Sequence, residues 1–223
     1  MLANKPLAER MRPVSISDYL GQDLLTGMNS TLGKSIESGA IPSFILWGPP
    51  GVGKTTLAGI IASMHKRPFY RLSAVHSGVK DVRDTIEKAK KQQFFDNPNP
   101  ILFIDEIHRF SKSQQDSLLG AIEKGIITLI GATTENPSFE IISPLLSRCQ
   151  VYVLKPLQPE HLKSLADRAL KEDIFLKELK VLIKEYNALV QSSGGDARKL
   201  YNALELTVSS EMQALKDLSL IHI

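Results

Sequence analysis

The chain of 223 residues contains a single cysteine, Cys149. One thiol excludes an internal disulfide and any multi-cysteine metal site, and it fits a reducing cytosol. No segment approaches the roughly 18 to 20 apolar residues that cross a bilayer, and the N-terminal MLANKPLAERMRP has no apolar core of signal-peptide length. There is no zinc finger, no recognition-helix motif and no basic patch interleaved with aromatics. Internal repeats and low-complexity segments are also lacking. Neither charge dominates: Lys plus Arg is 27 and Asp plus Glu is 24, a net +3. That balance permits a nucleic-acid partner without arguing for one. With 43% hydrophobic residues the chain has enough apolar material for a real core. A cytoplasmic globular protein with no membrane attachment is expected.

What the sequence does hold is concentrated at residues 48–55, GPPGVGKT. An apolar run, Phe44-Ile45-Leu46-Trp47, precedes it and a helical pattern to Met64 follows. Strand, glycine-rich turn and helix is the context that a phosphate-binding loop requires. Gly48, Gly51 and Gly53 allow the backbone to curl and bring N–H groups to phosphate oxygens, with Pro49, Pro50 and Val52 between them. The helix from Lys54 adds the positive end of its dipole, with Thr55 and Thr56 in its first turn. Lys54 is expected to reach the β- and γ-phosphates of ATP, and Thr55 to offer its hydroxyl to Mg²⁺.

Around this loop strands and helices alternate. Strands are expected at 44–47, 68–72, 101–104, 126–130 and 151–154, with helices at 29–38, 54–64, 79–94 and 113–124. Asp96 to Pro100 is a loop signal. The fully apolar strands predict a five-stranded parallel sheet covered by helices on both faces. After Pro156 the strand signals stop and helices are expected at 159–171, 177–191 and 196–213. The expected division is an α/β core at 1–156 that includes the N-terminal arm, a small all-helical lid at 157–217, and a non-native tail at 218–223.

Three further constellations carry chemistry. The strand at 101–104 runs into Asp105-Glu106. Asp105 suits Mg²⁺, a hard cation that prefers oxygen ligands. Glu106 suits the orientation and polarisation of an attacking water. Thr134, at the end of the fourth strand, is the candidate to reach a γ-phosphate or the lytic water, and a threonine satisfying a turn is the lesser alternative. Arg148 follows a short helix. Residue physics alone makes it a surface arginine, and an arginine finger is the functional alternative. Asp196 can cap the last helix. Arg198 then lies in its first turn, where the dipole disfavours a cation, so a compensating anion is expected. A triphosphate and a neighbouring carboxylate are the two candidates. Cys149 reads as a small buried residue. Lys80, Arg83, Arg109 and Lys112 are possible phosphate contacts, each individually better read as a surface charge.

Together these residues resemble an AAA+ ATPase of the branch that includes clamp-loader subunits and Holliday-junction motors. Ser147-Arg148-Cys149 is similar to the clamp-loader element that carries the arginine finger. Gly195-Asp196-Ala197-Arg198 is similar to the sensor 2 element of the helical lid. Glu9-Arg10-Met11-Arg12-Pro13 through Gly21-Gln22 is similar to the segment that packs against adenine, which places Arg12 among the nucleotide-binding candidates. Residues 72–81 (LSAVHSGVKD), 107–116 (IHRFSKSQQD) and 131–140 (GATTENPSFE) resemble the replication-associated recombination protein A family. The resemblance implies a DNA-dependent ATPase at stalled or damaged replication forks. The implied cofactors are ATP and Mg²⁺. The implied partners are DNA forks, ends or single-strand gaps, single-stranded-DNA-binding protein, and further copies of the chain; nucleoid association follows. It also implies a further C-terminal helical region that builds a tetramer, so a fragment is expected. Two alternatives stay open: a clamp-loader or Holliday-junction-motor subunit, and a nucleotide-binding scaffold with little turnover.

Overall fold

The computed structural model describes residues 5–27, 29–93, 98–179 and 181–219. Two compact units are present, one of residues 13–155 and one that joins residues 1–12 to 156–223. The chain passes between them at Arg12-Pro13 and at Lys155-Pro156. The N-terminal arm, expected with the α/β core, therefore belongs to the helical unit.

The first unit is built on a sheet of strands β1 (Phe44–Trp47), β2 (Phe69–Ser73), β3 (Ile101–Asp105), β4 (Thr128–Thr133) and β5 (Gln150–Val153). Their order is β2-β3-β4-β1-β5, and every pairing is parallel. Strands β3 and β4 are apolar and buried along nearly their whole length because both sheet faces are covered. Alternation assigns each residue to a face. Phe44, Leu46, Ile101 and Phe103 pack with Leu57 and Ile61 of α4 (Lys54–Met64) and Ile36 of α3 (Thr31–Ser38). Ile45, Leu102 and Ile104 face the other way, onto Val82 and Ile86 of α5 (Val79–Gln93) and Leu118 of α6 (Lys112–Glu123). Gln22 ties the exit of β5 to the segment before α2 (Asp23–Thr26): its amide donates to the Lys155 carbonyl at 2.8 Å and accepts from the Lys155 N–H at 3.2 Å.

Strand β4 lies two to three residues later than its apolar run suggests. Ile126 and Ile127 are buried, but their N–H groups turn back to the Ala121 carbonyl of α6, at 2.9 and 3.4 Å. The strand instead continues through the small residues Gly131 and Ala132 to Thr133, which pairs with Trp47. The expected ends of α5 at 94 and of the loop at 96–97 fall outside the described residues, as does the tail beyond 219.

The first unit also holds the short helices α7 (Pro137–Glu140) and α8 (Ser143–Leu146), and the helical unit contains α9 (Pro159–Glu172), α10 (Tyr186–Ser193), α11 (Ala197–Ser219) and the short α1 (Leu7–Arg10). The helix expected at 177–191 is not continuous. A 3₁₀ turn spans Leu176–Glu178, and residues 181–185 are non-helical before α10 starts at Tyr186. Asp173 caps the 3₁₀ turn: its carboxylate accepts the N–H groups of Phe175 (3.2 Å) and Leu176 (3.1 Å) just past the end of α9. The arm, read from sequence as polar and not a core element, buries Leu7 and Met11. Four-residue spacing puts both on one face of α1. The Leu7 N–H donates to both Glu205 oxygens at 3.0 Å. Arg10 pairs with Asp173 at 2.6 Å and with Glu205 at 3.0 Å, and its guanidinium lies 5.0 Å from the centre of the Phe175 ring.

Asp173 is almost fully buried. Burial alone raises a carboxyl pKa, but the Arg10 hydrogen bond and the two backbone donors outweigh it and hold Asp173 below the ordinary carboxylate value. A group depressed in this way contributes stability above its unfolded pKa, about 3.9, and loses it as pH falls through the lower folded value. Asp173→Asn is expected to destabilise the protein by about 3 kcal/mol at pH 7. The difference from wild type should shrink below about pH 4, as read by urea denaturation across a pH series.

Candidate active site

Parallel register brings the carboxyl ends of the strands to one edge, where ligands of open α/β sheets bind. Trp47, Thr133, Asp105 and Ser73 all lie there. The loop leaves β1 at Gly48, whose N–H donates to the Thr133 carbonyl at 3.2 Å. Gly53 adopts φ 94°, and a Cβ there would sit 2.5 Å from the Tyr19 ring, so both backbone and space require glycine. The buried Tyr19 hydroxyl donates to the Val52 carbonyl at 3.3 Å and is pushed above its ordinary pKa by burial. Tyr19 thus braces the loop from behind.

Helix α4 begins at Lys54 with no side-chain cap and no acidic residue in its first turn. By contrast α3 and α6 are capped by Ser30 and Ser111. An N-terminus with bare backbone donors and a favourable dipole fits an anion such as phosphate. Lys54 is only 8% exposed. Its ammonium donates to the carbonyls of Gly48 (2.6 Å) and Pro49 (2.8 Å), which hold the cation over the loop. Thr55 and Thr56 are half-buried beside it.

Asp105 closes β3, and its carboxylate lies 3.2 Å from the Arg71 guanidinium. Asp105 and the Thr55 hydroxyl are the hard oxygen donors Mg²⁺ prefers. Among the described residues no cluster of three or more His, Cys, Asp or Glu side chains could hold a metal alone. Mg²⁺ would complete its shell with phosphate oxygens and water, its usual habit at nucleotide sites.

Glu106 follows in the left-handed region, φ 54° and ψ 46°. That sharp turn starts the 3₁₀ segment Ile107–Arg109 and drives Ile107 onto the sheet. Gly131 makes room, since a Cβ there would come within 3.1 Å of Ile107. The Thr134 hydroxyl donates to Glu106 Oε2 at 3.2 Å. Thr134 and Glu106, singled out separately from the sequence, are thus in contact.

The three arginines behave differently. Arg148 lies just before β5, whose Gln150 pairs with Phe44 at the start of β1. It therefore sits at the edge opposite the loop. There it pairs with Glu123 at the end of α6 and donates to the Pro144 carbonyl at 2.6 Å. Arg198 is exposed, and among the described residues it makes no ion pair. Asp196 does cap α11, but through the N–H groups of Arg198 and Lys199, at 2.7 and 3.1 Å. Arg12 pairs with Glu9 at 2.6 Å. Cys149, expected to be buried, is half-buried, and desolvation raises its thiol to about 12, which keeps it protonated at neutral pH. Arg71, His108, Thr133 and Tyr19 are site neighbours that sequence reasoning passed over.

Residues 44–157 match the family described as ATPase family associated with various cellular activities (AAA). ATPase WRNIP1 of Dictyostelium discoideum is 47% identical over 93% of this chain and 24% of its own length. Replication-associated recombination protein A of Coxiella burnetii is 47% identical over 92% of this chain and 48% of its own length. The protein of that name from Escherichia coli K12 is 46% identical over 91% and 46%. The chain thus spans about half or less of the length of these relatives. Among solved structures, the Thermotoga maritima RuvB Holliday junction branch migration motor superposes with a TM-score of 0.72 at 29% identity, covering 92% of this chain and 67% of that one. The chain belongs to the AAA family of ATPases, and its similarity to replication-associated recombination protein A extends over more than nine-tenths of its length.

Proposed function

We propose that the chain is the ATP-hydrolysing part of a DNA-dependent ATPase acting in replication-associated recombination and fork repair. One observation carries this reading. The bare helix N-terminus with Lys54, the Asp105 carboxylate and the Glu106–Thr134 pair all stand on the same sheet edge. Backbone N–H groups of residues 51–56 and the Lys54 ammonium bind the phosphates. Mg²⁺, held by Asp105 and Thr55, would neutralise charge on the β- and γ-phosphates. Glu106 orients the attacking water, and Thr134 fixes the Glu106 carboxylate against it. Arg198, exposed and without an ion pair among the described residues, is assigned to the γ-phosphate, and Arg12 to the nucleotide. Loss of the γ-phosphate would release Arg198 and so be felt by the helical unit.

The position of Arg148 at the far edge supports action on a neighbouring subunit's nucleotide, which implies a homo-oligomer. DNA at forks, ends or gaps and single-stranded-DNA-binding protein are the proposed partners, and the nucleoid the proposed location. These rest on the names of the relatives and the family resemblance. A branch-migration-type motor is the second reading, favoured by the likeness to the RuvB motor. Among the described residues no helix is long and apolar enough to cross a membrane.

Lys54→Ala is expected to abolish ATP binding, and Glu106→Gln to keep binding while reducing single-turnover hydrolysis by about 10²-fold or more. Wild-type turnover in both variants would refute the assignment. In assembled protein, Arg148→Ala should preserve ATP affinity but lose about 10³-fold in rate. Mixing it with Lys54→Ala chains should recover part of that rate. No recovery would confine the effect of Arg148 to its own chain.

A further inference from the structure

His108 is the fourth residue counted from Asp105, and the 3₁₀ turn at Ile107–Arg109 folds its ring back toward the carboxylate of Glu106. Its Nδ1 lies 3.3 Å from Glu106 Oε2 and 2.9 Å from the hydroxyl of Thr133, the fully buried last residue of β4. The His108 side chain is itself only 10% exposed. The Thr133 hydroxyl has a second set of bonds. It accepts the Glu135 N–H at 3.0 Å and stands 3.2 Å from the Glu135 carbonyl, to which it donates.

Donor accounting then decides which His108 nitrogen carries the proton. The hydroxyl of Thr133 has one hydrogen, and a carbonyl can only accept. With that hydrogen on Glu135, the 2.9 Å contact requires His108 Nδ1 to be the donor. The reverse assignment, Thr133 donating to a bare Nδ1, would face the Nδ1 lone pair toward the Glu106 carboxylate at 3.3 Å, which is repulsive. Only an Nδ1–H satisfies all four atoms. That N–H points at Thr133 and Glu106 together, so Glu106 Oε2 receives one donor from His108 and one from Thr134. His108 is tied to Thr133 at the end of β4 and Thr134 directly follows that strand, so Oε1 is the oxygen left to meet a water.

We infer that His108 is a positioning residue that, fixed by Thr133, holds Glu106 Oε2 through its Nδ1–H and so aims Oε1 at the attacking water. This rests on the reading of Glu106 as the water-orienting group. The ring does not touch substrate; it acts through Glu106. The signal in the sequence is the adjacency of Asp105-Glu106-Ile107-His108 with two consecutive threonines, the last of β4 and the residue after it.

Four variants and one spectrum test it. His108→Ala is expected to lower single-turnover hydrolysis on the order of 10- to 100-fold, the effect of losing a hydrogen bond to a charged group. The KM for ATP should stay within about twofold, since the contact is not made to the nucleotide. His108→Asn places an amide N–H near the Nδ1 position and should recover most of the rate, whereas His108→Gln, with its donor further out, should not. In a Glu106→Gln background, His108→Ala should cause no further loss. An equal loss in that background, or a KM increase in place of a rate loss, would mean that His108 acts by another route and overturns the inference. Independently of turnover, ¹⁵N spectra of the imidazole should show an Nδ1–H, and an Nε2–H tautomer would also overturn it. The two readings fail separately. Full activity of Glu106→Gln removes the role of Glu106 itself. Loss of activity in Glu106→Gln with wild-type rates in His108→Ala removes only the role of His108.

Discussion

Everything at the candidate site depends on the parallel pairing of β1 with β4 on one side and β5 on the other. Parallel strands share direction, so one edge of the sheet collects the residues that follow each strand. The pairing of Trp47 with Thr133 places the start of the phosphate loop beside the threonines of β4. The chain from β4 through β3 then sets Asp105 in line. A slip of one residue between β3 and β4 would exchange the two faces of the sheet. Leu102 and Ile104 would leave their packing with α5 and α6, and the Glu106 turn would lose its seat over Gly131. The apolar cores on both faces are therefore what keep the chemistry in register.

The edge itself is held by a few polar bonds and one uncommon backbone conformation. Glu106 occupies the left-handed region without being glycine, at a cost of order 1 kcal/mol or more. The surroundings over-determine it. Ile107 is driven into the space over Gly131, Phe110 is buried below, and Ser111 and Gln114 close a capping box at the start of α6. Thr134 and His108 then fix the carboxylate. Strain at a residue so heavily anchored is more readily explained by the direction its side chain must point than by local propensity.

Much of this was legible in advance because it rests on local signals. The loop is a contiguous string in a strand–turn–helix setting, and Asp105-Glu106 follows four apolar residues. The parts that were not legible depend on long-range partners. Apolar Ile126 and Ile127 marked a strand, yet their burial comes from the turn after α6, and the true strand runs into small residues that carry little apolar signal. The arm looked polar because Arg10 and Glu9 dominate its composition. Its fold depends instead on Leu7 and Met11, and on acids 163 and 195 residues away from Arg10. Asp173, unremarkable in sequence, gathers Arg10 of the arm and the chain beyond α9 onto one carboxylate. His108 and Thr133 escaped notice for the same reason: their roles exist only through each other.

Arg148 shows how the same register divides the proposed catalytic centre. Phe44 pairs with Gln150, so an arginine two residues before Gln150 lies a full strand length, roughly 13 Å for four residues, from the edge that carries the loop. No side-chain rotation within one subunit closes that distance. Arg148 is not committed where it sits, however. Its partner Glu123 is about half exposed, and exposed pairs of this kind are worth about 0–1 kcal/mol. A bidentate guanidinium–phosphate contact in a water-poor interface is stronger than that. Exchanging Glu123 for a neighbour's nucleotide is thus favourable on general grounds. Turnover would then depend on assembly through this one surface side chain.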